Sequence, residues 1–512
     1  MTVTILDCYT DEPAGLGVPP YLGTYPRYIA GHLDKIPIYI TIDDLRLFNQ
    51  LQQHKLGCRW GRDVGKKSNL QKKTKALWAG KLNKSLKPSQ KTNIKTYNLT
   101  KNFKNIKQIL ENTAELIIIA GVHTPGKYLS AVPGTLKEII QLTKDLNCKK
   151  ILTGPAVYGT STEGGRFFER VNLKNFDQIK DFDFSYEEIK DFAVKGAEII
   201  KQIPDLRIIE LETSKGCSRA KHCSFCTEPL KHRISFRQKQ DIIKEVNAFN
   251  KLGVKYFRLG KQSCYYSHPQ AIDIIKDIKK QINPKVLHID NVNPINVITK
   301  KGQEITKAIV KYCTEGNIAA FGVESFDPTV VKQNNLNSDS ETTYKAVKIL
   351  NKYGKKRGFT GMQKFLPGIN ILFGLIGENK TTNEYNINWL KRFLKEDLLI
   401  RRINIRQVDI FEGTPIYNIV GNKFIKKNKK YYWKWRNQIR QEIDFPMLKK
   451  LVPKETILKD VKTEIYDGKT TFARQIGTYS LIIGIKQRLE LNKFIDVRII
   501  DHMLRSVVGE VI

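Results

Sequence analysis

The chain has no apolar run long enough to cross a membrane; its longest, residues 116–122, has the length of a buried strand. Its first residues, Met1 to Asp7, lack the basic stretch and apolar core of a secretory signal. Cysteine is sparse. Eight in 512 residues, with no export signal, do not make the disulfide framework of a small secreted domain and suit a reducing cytoplasm. Acid is also short: Asp+Glu number 51 against Lys+Arg 87, a net charge of +36. Such an excess suits a polyanionic partner, most simply RNA or DNA. A coding bias toward A and T, which enriches Lys, Ile and Asn together, is the plainer alternative.

The length allows about two to four domains. Residues 1–195 alternate strand-like runs (3–7, 37–42, 116–121, 150–155) with helical ones such as 134–146, the pattern of a Rossmann-like parallel sheet. Ligands of such sheets bind at the carboxyl ends of strands, here the glycine-containing runs 15–20, 121–126 and 154–159, whose spacing matches no dinucleotide fingerprint. Within this part lies a Lys-rich insertion, residues 64–110: between Asp63 and Glu111 there is no acid and there are thirteen lysines. Like charges at that density resist compaction, so the insertion reads as an arm that tracks a phosphate backbone or is simply solvated.

Residues 200–430 carry six further strand-like runs, beginning at 206–211, 256–260, 286–290, 320–325, 369–376 and 403–410. Residues 431–512 follow, introduced by the stretch 426–436, in which lysines alternate with tyrosine and tryptophan. Aromatics there would stack on bases while cations neutralise phosphates; an amphipathic connecting helix with its aromatics turned inward reads equally well.

The loop after the first of those six runs holds Cys217, Cys223 and Cys226, with Phe225 directly before the last cysteine. Three thiolates from one loop, with no evident fourth, would hold a four-iron cubane and leave one iron open. A structural zinc closed by His222 or His232 is the rival, although no second ligand pair is present and His222 lies against Cys223.

The cysteine pattern resembles the radical S-adenosylmethionine (SAM) superfamily, with a first gap widened to five residues, Ser218 to His222. The resemblance implies a partial (β/α)6 barrel over residues 200–430. It also implies a 4Fe–4S cluster on the three cysteines, whose open iron binds the amino and carboxylate groups of SAM. An electron from a donor such as ferredoxin or flavodoxin then cleaves the sulfonium and releases a 5′-deoxyadenosyl radical; the cofactor carries the hard chemistry. Carried residue by residue, the likeness gives SAM contacts to Phe225, Gly260, Glu324 and Ser325, and an adenosine-side turn to Gly374 and Gly377. Only Gly260 is kept of the usual Gly-Gly-Glu, and Asn291 and Asn293 would face substrate. Each has a plain alternative as a strand-end turn; their order, one set per strand, is what gives them weight.

Residues 473–512 resemble the small TRAM β-barrel found at the C-terminus of radical SAM tRNA methylthiotransferases. The whole chain resembles an archaeal group of radical SAM proteins that shares features with two branches. The methylthiotransferase branch implies a second iron–sulfur cluster, for which Cys8, Cys58 and Cys148 are the available ligands. The other branch implies cobalamin on the N-terminal domain, although the Asp-x-His-x-x-Gly motif is missing. The fold expected is therefore α/β: a Rossmann-like sheet, a partial barrel and a small C-terminal β-barrel. The function expected is a cytoplasmic, membrane-free transferase that methylates or methylthiolates RNA, tRNA above all. A radical SAM enzyme of small molecules or peptides, and a non-catalytic zinc protein that binds nucleic acid, remain as rivals.

Overall fold

The computed structural model describes residues 2–10, 21–57, 97–121, 132–158 and 172–512. The first strand, β1 (Val3–Asp7), is followed by a two-residue strand, β2 (Tyr21–Leu22), which joins a different sheet. β3 (Ile38–Thr41), β4 (Glu115–Ile119), β5 (Lys149–Thr153) and β6 (Gln178–Ile179) pair in parallel with β1 in the order β3-β1-β4-β5-β6. Leaving β2 aside, this is the doubly wound order 2-1-3-4-5. Leu116–Ile119 is buried throughout because a parallel sheet is covered on both faces. Residues 97–110, expected as the end of the charged insertion, are instead part of this domain, since Ile106 and Leu110 enter its core. The rest of that insertion, and the runs 15–20 and 122–126, lie outside the described residues.

Next come β7 (Ile208–Glu212), the small strands β8 (Ser214–Lys215) and β9 (Ser235–Phe236), then β10 (Tyr256–Gly260), β11 (Val286–Ile289), β12 (Asn291–Val292), β13 (Asn317–Glu324), β14 (Phe365–Phe373) and β15 (Arg402–Gln407). Two parallel sheets, β11-β10-β7-β2 and β12-β13-β14-β15, are joined because β11 and β12 are one strand interrupted at Asp290. The Asp290 carbonyl accepts from the Ala320 N–H (3.2 Å) across the break. Six strand positions thus form the expected partial barrel, and β2 extends its open edge. Tyr21 and Leu22, read from the sequence with the N-terminal part, belong physically to the barrel.

Helix Lys423–Ile439 runs down the outside of the barrel, with Tyr432 and Trp435 buried against Phe373 (ring centroids 5.9 and 5.2 Å). Most of its aromatics therefore build core, as in the connecting-helix reading, while Trp433 is exposed. β16 (Ile457–Asp467), β17 (Thr470–Gln475), β18 (Ile482–Ile485), β19 (Phe494–His502) and β20 (Val507–Val511) then close a five-stranded barrel in the order β16-β17-β18-β20-β19. Among the described residues no helix is long and apolar enough to cross a membrane.

A fully buried ion cluster binds these layers. Glu245 accepts from Arg27 and, at 2.5 Å, from Arg237; all three side chains have no exposed surface. Arg27 also donates to the carbonyls of Gly23 (2.8 Å) and of Glu210 in β7. Helix Thr24–His32 is thereby fixed to the barrel. Removing one partner from such a cluster leaves charge buried without compensation. Glu245→Ala is expected to lower stability by about 3–5 kcal/mol, read by chemical denaturation, whereas the exposed pair Lys190–Glu187 should give a change too small to measure on truncation.

Candidate active site

The cysteine loop is closed at its base by the antiparallel pair β8–β9 and by the Arg237 N–H donating to the Thr213 carbonyl (3.0 Å). Gly216 starts the loop with φ 75°, and a side chain there would overlap the backbone of Arg233. Its N–H donates to Glu228 (2.9 Å). Ser224 is held from both sides: its N–H and hydroxyl donate to Asn334 (3.0 and 2.6 Å), and its carbonyl accepts from the Ile416 N–H (2.9 Å). The widened first gap has a physical use. Its Arg219 donates to Cys223 Sγ (3.1 Å) and to the carbonyls of Asn335 and Leu336 (2.8 and 3.2 Å).

Cys217, Cys223 and Cys226 line one cavity of about 630 Å³ with Phe225, Glu324, Asn291 and Asn293. Burial pushes the thiol of Cys223 up to about 11 and that of Cys226 up to about 12, and the neighbouring cysteines add to both effects. Thiols raised in this way, those of Cys223 and Cys226, become thiolates most readily around a cationic centre, which is what an iron cluster offers. Among the described residues no three His, Cys, Asp or Glu side chains converge as ligands of one ion, the arrangement a tetrahedral zinc needs. A cubane instead takes one sulfur at each of several iron corners.

Glu324 ends β13 at φ 62°, a left-handed conformation for a non-glycine residue. Burial pushes its carboxyl up to about 8, only partly countered by Arg406. Of the other expected SAM contacts, Gly260, Ser325, Gly374 and Gly377 lie outside the cavity lining. A side chain at Gly260 would overlap Glu210, which does line the cavity. The Ser325 hydroxyl accepts from the Asp327 N–H (3.1 Å). Gly374 and Gly377 turn the chain beyond β14 against Ile425, Val408 and Gln333.

The cavity floor combines residues from all three parts of the chain. Arg258 pairs with Asp290, lies near Glu210 (3.6 Å) and covers the ring of Tyr21 (4.6 Å). From below, the β17–β18 turn enters the barrel: the Tyr479 hydroxyl donates to Asp290 (3.3 Å), and the Thr478 carbonyl accepts from Tyr21 (2.9 Å). His288 Nδ1 accepts from the Thr478 N–H (3.1 Å), which puts the ring proton on Nε2, facing the Glu315 carbonyl (3.0 Å). Burial pushes this imidazole down to about 4, so it stays neutral near pH 7. Sequence reasoning missed Tyr21, Arg258, Asp290 and Tyr479. Arg258 and Asp290 were readable as alternate, inward positions of strands; Tyr21 and Tyr479 arrive by tertiary packing and left no local signal.

The N-terminal cysteines do not meet. Cys8 follows β1 and is fully buried, while Cys148 precedes β5. In a parallel sheet these are opposite ends, and the registers Asp7↔Ile119 and Glu115↔Lys149 separate the two by about 20 Å at 3.3 Å per residue. One cluster cannot take both as ligands, which removes the triad expected for a second cluster; Cys58 lies outside the described residues.

Residues 211–384 match the family model described as the Radical SAM superfamily. The chain therefore carries a radical SAM domain, and enzymes of that superfamily use a 4Fe–4S cluster and SAM and typically need a reductant. More particularly, it belongs with an uncharacterized protein of Methanocaldococcus jannaschii, 40% identical over 99% of this chain and 93% of its own. An Archaeoglobus fulgidus protein is 35% identical over 99% and 89%. A "Putative methylthiotransferase" of M. jannaschii is 25% identical over 33% of this chain and 36% of its own. Among solved structures, the radical S-adenosylmethionine methyltransferase TsrM from Kitasatospora setae shares 12% identity, covering 81% of this chain and 75% of its own, with a TM-score of 0.47.

The carboxyl of Glu324 holds its proton in the folded chain up to about pH 8 and, once unfolded, loses it near 4.5. Between these values the folded state binds more protons, so stability falls as pH rises. Glu324→Gln should flatten that fall in the cluster-free protein, measured by denaturant titration at pH 5 and pH 8.

Proposed function

We propose that the protein is a radical SAM enzyme that methylates a base in RNA, tRNA being the first candidate. The observation that carries this reading is the single cavity in which the cysteine loop faces amide and ionic side chains, Asn291, Asn370, Asn404 and Arg406, above the Arg258–Asp290 floor. Such a wall suits the hydrogen-bonding edge of a heterocycle. A cavity of about 630 Å³ inside a barrel admits one base beside SAM and excludes a duplex, so the target enters unstacked. The net charge of +36 supports a nucleic-acid substrate.

In this reading Cys217, Cys223 and Cys226 hold the cluster, while Phe225 and Glu324 contact SAM from the cavity wall. Gly260, Ser325, Gly374 and Gly377 shape that wall from behind. When bound, cluster and SAM supply one-electron cleavage of a carbon–sulfur bond; the residues of the barrel orient the base and keep water out. Methylation is favoured over methylthiolation because Cys8 and Cys148 stand at opposite sheet ends. Thr10, Tyr158 and Asp181, beyond the carboxyl ends of β1, β5 and β6, line the same cavity. A cobalamin carried on that edge would therefore face the cysteine loop.

Anaerobic protein, dithionite and SAM labelled in its methyl group, incubated with bulk tRNA, should place label in RNA at about four irons per chain. About eight irons with a sulfur-bearing nucleoside would establish methylthiolation instead. No label in RNA, with SAM cleavage quickened by small-molecule extracts, would defeat the RNA reading.

A further inference from the structure

The helix Lys423–Ile439 carries six lysines and one arginine with no acid. At 3.6 residues per turn, Lys423, Lys426, Lys427, Lys430 and Lys434 fall within a stripe about 100° wide, with Trp433 at its margin. The inward positions Ile425, Asn428, Tyr432, Trp435 and Ile439 form the opposite stripe. Asn428 donates to Glu378 (2.8 Å), Tyr432 to the Ile405 carbonyl (3.4 Å), and Arg440, just past the helix, to the Ile403 carbonyl (2.7 Å). These anchors leave the helix no freedom to turn its lysines inward.

Among the described residues no carboxylate pairs with any of the five lysines. The acids at the far end are already engaged, Glu442 with Lys391 (2.7 Å) and Asp444 with Arg440. The helix begins near the cysteine loop. Ile425 packs in the same apolar cluster as Cys223 and Phe225, and Ile416, a few residues earlier, bonds to Ser224 of the cysteine loop. From there the helix runs about 25 Å at 1.5 Å per residue toward the segment that leads into the C-terminal barrel, and the five lysines occupy about 17 Å of it. The Trp433 ring, 45% exposed, stands beside them.

We propose that this face is the track on which the RNA phosphate backbone docks, leading a strand to the cavity mouth. The proposal rests on the RNA reading above and gives it a surface. Five cations in a row neutralise successive phosphates, and Trp433 offers a platform for an unpaired base. An acidic electron-donor protein would use the charge but has no need of the exposed indole or of the full length of the stripe.

The test uses the full-length, cluster-loaded protein and bulk tRNA as probe, with affinity measured across a salt series. Lys426→Gln/Lys427→Gln/Lys430→Gln/Lys434→Gln, which keeps helix propensity, should weaken binding at least tenfold. It should also reduce the slope of log affinity against log salt by about 3, at about 0.7–0.9 per phosphate contact. Trp433→Ala should weaken binding about tenfold and leave the slope unchanged. Dithionite-driven SAM cleavage without RNA should stay within about twofold of wild type in both variants, since neither touches the cavity. If the quadruple variant binds tRNA with the affinity and slope of wild type, the track is wrong while the RNA reading survives. If it does so while reduction by flavodoxin slows, the face belongs to the electron donor. If wild type binds no tRNA, both readings fall.

Discussion

One carboxylate holds this molecule's working parts in register. Glu245 lies fully buried between Arg27 and Arg237. Arg27 belongs to the helix that follows the barrel's extra edge strand. Arg237 follows β9, and its N–H closes the base of the cysteine loop on Thr213. The same cluster reaches the Glu210 carbonyl in β7. A buried charge triad is a poor source of net stability, because desolvation consumes most of the Coulombic gain. It is, however, intolerant of displacement, since each charge needs its partners in place. The position of the cysteine loop relative to the first barrel strand is thus set by charge satisfaction, and the apolar core around it fixes the remainder.

The barrel itself is incomplete without its neighbours. Six parallel strand positions leave an open edge and an open floor. The N-terminal part supplies β2 to the edge and the C-terminal barrel supplies the Thr478–Tyr479 turn to the floor, where Tyr21 and Thr478 meet. The flanking domains are therefore walls of the cavity as well as appendages. The carboxyl ends of the N-terminal sheet open onto the same space, so two parallel sheets direct their carboxyl ends at one cysteine loop.

Much of this could be read from the residues alone. Three cysteines in one loop after a strand, with an aromatic before the last, announced the centre, and the run of strand-like segments announced a parallel barrel. Glu324 was legible as a site residue by position; its left-handed backbone and raised proton affinity were not, because they come from the fold around it. The lysine and aromatic stretch held two meanings at once, and helical periodicity assigns the aromatics largely to the core and the lysines to the surface. The failure of the N-terminal cysteine triad was also open to reading. Cys8 follows its strand, Cys148 precedes its own, and in a parallel sheet those are opposite ends. Tyr21 and Tyr479, separated from their partners by hundreds of residues, carry no such signal.

The central claim is that Cys217, Cys223 and Cys226 hold a cluster that cleaves SAM in this cavity. Its most direct measurement is dithionite-driven 5′-deoxyadenosine release by anaerobically reconstituted wild-type protein and by Cys217→Ala, Cys223→Ala and Cys226→Ala. The structure predicts release by wild type and its loss, together with loss of bound iron, in each variant. Wild type that binds iron yet releases no 5′-deoxyadenosine, or any variant that releases it at the wild-type rate, would contradict the account.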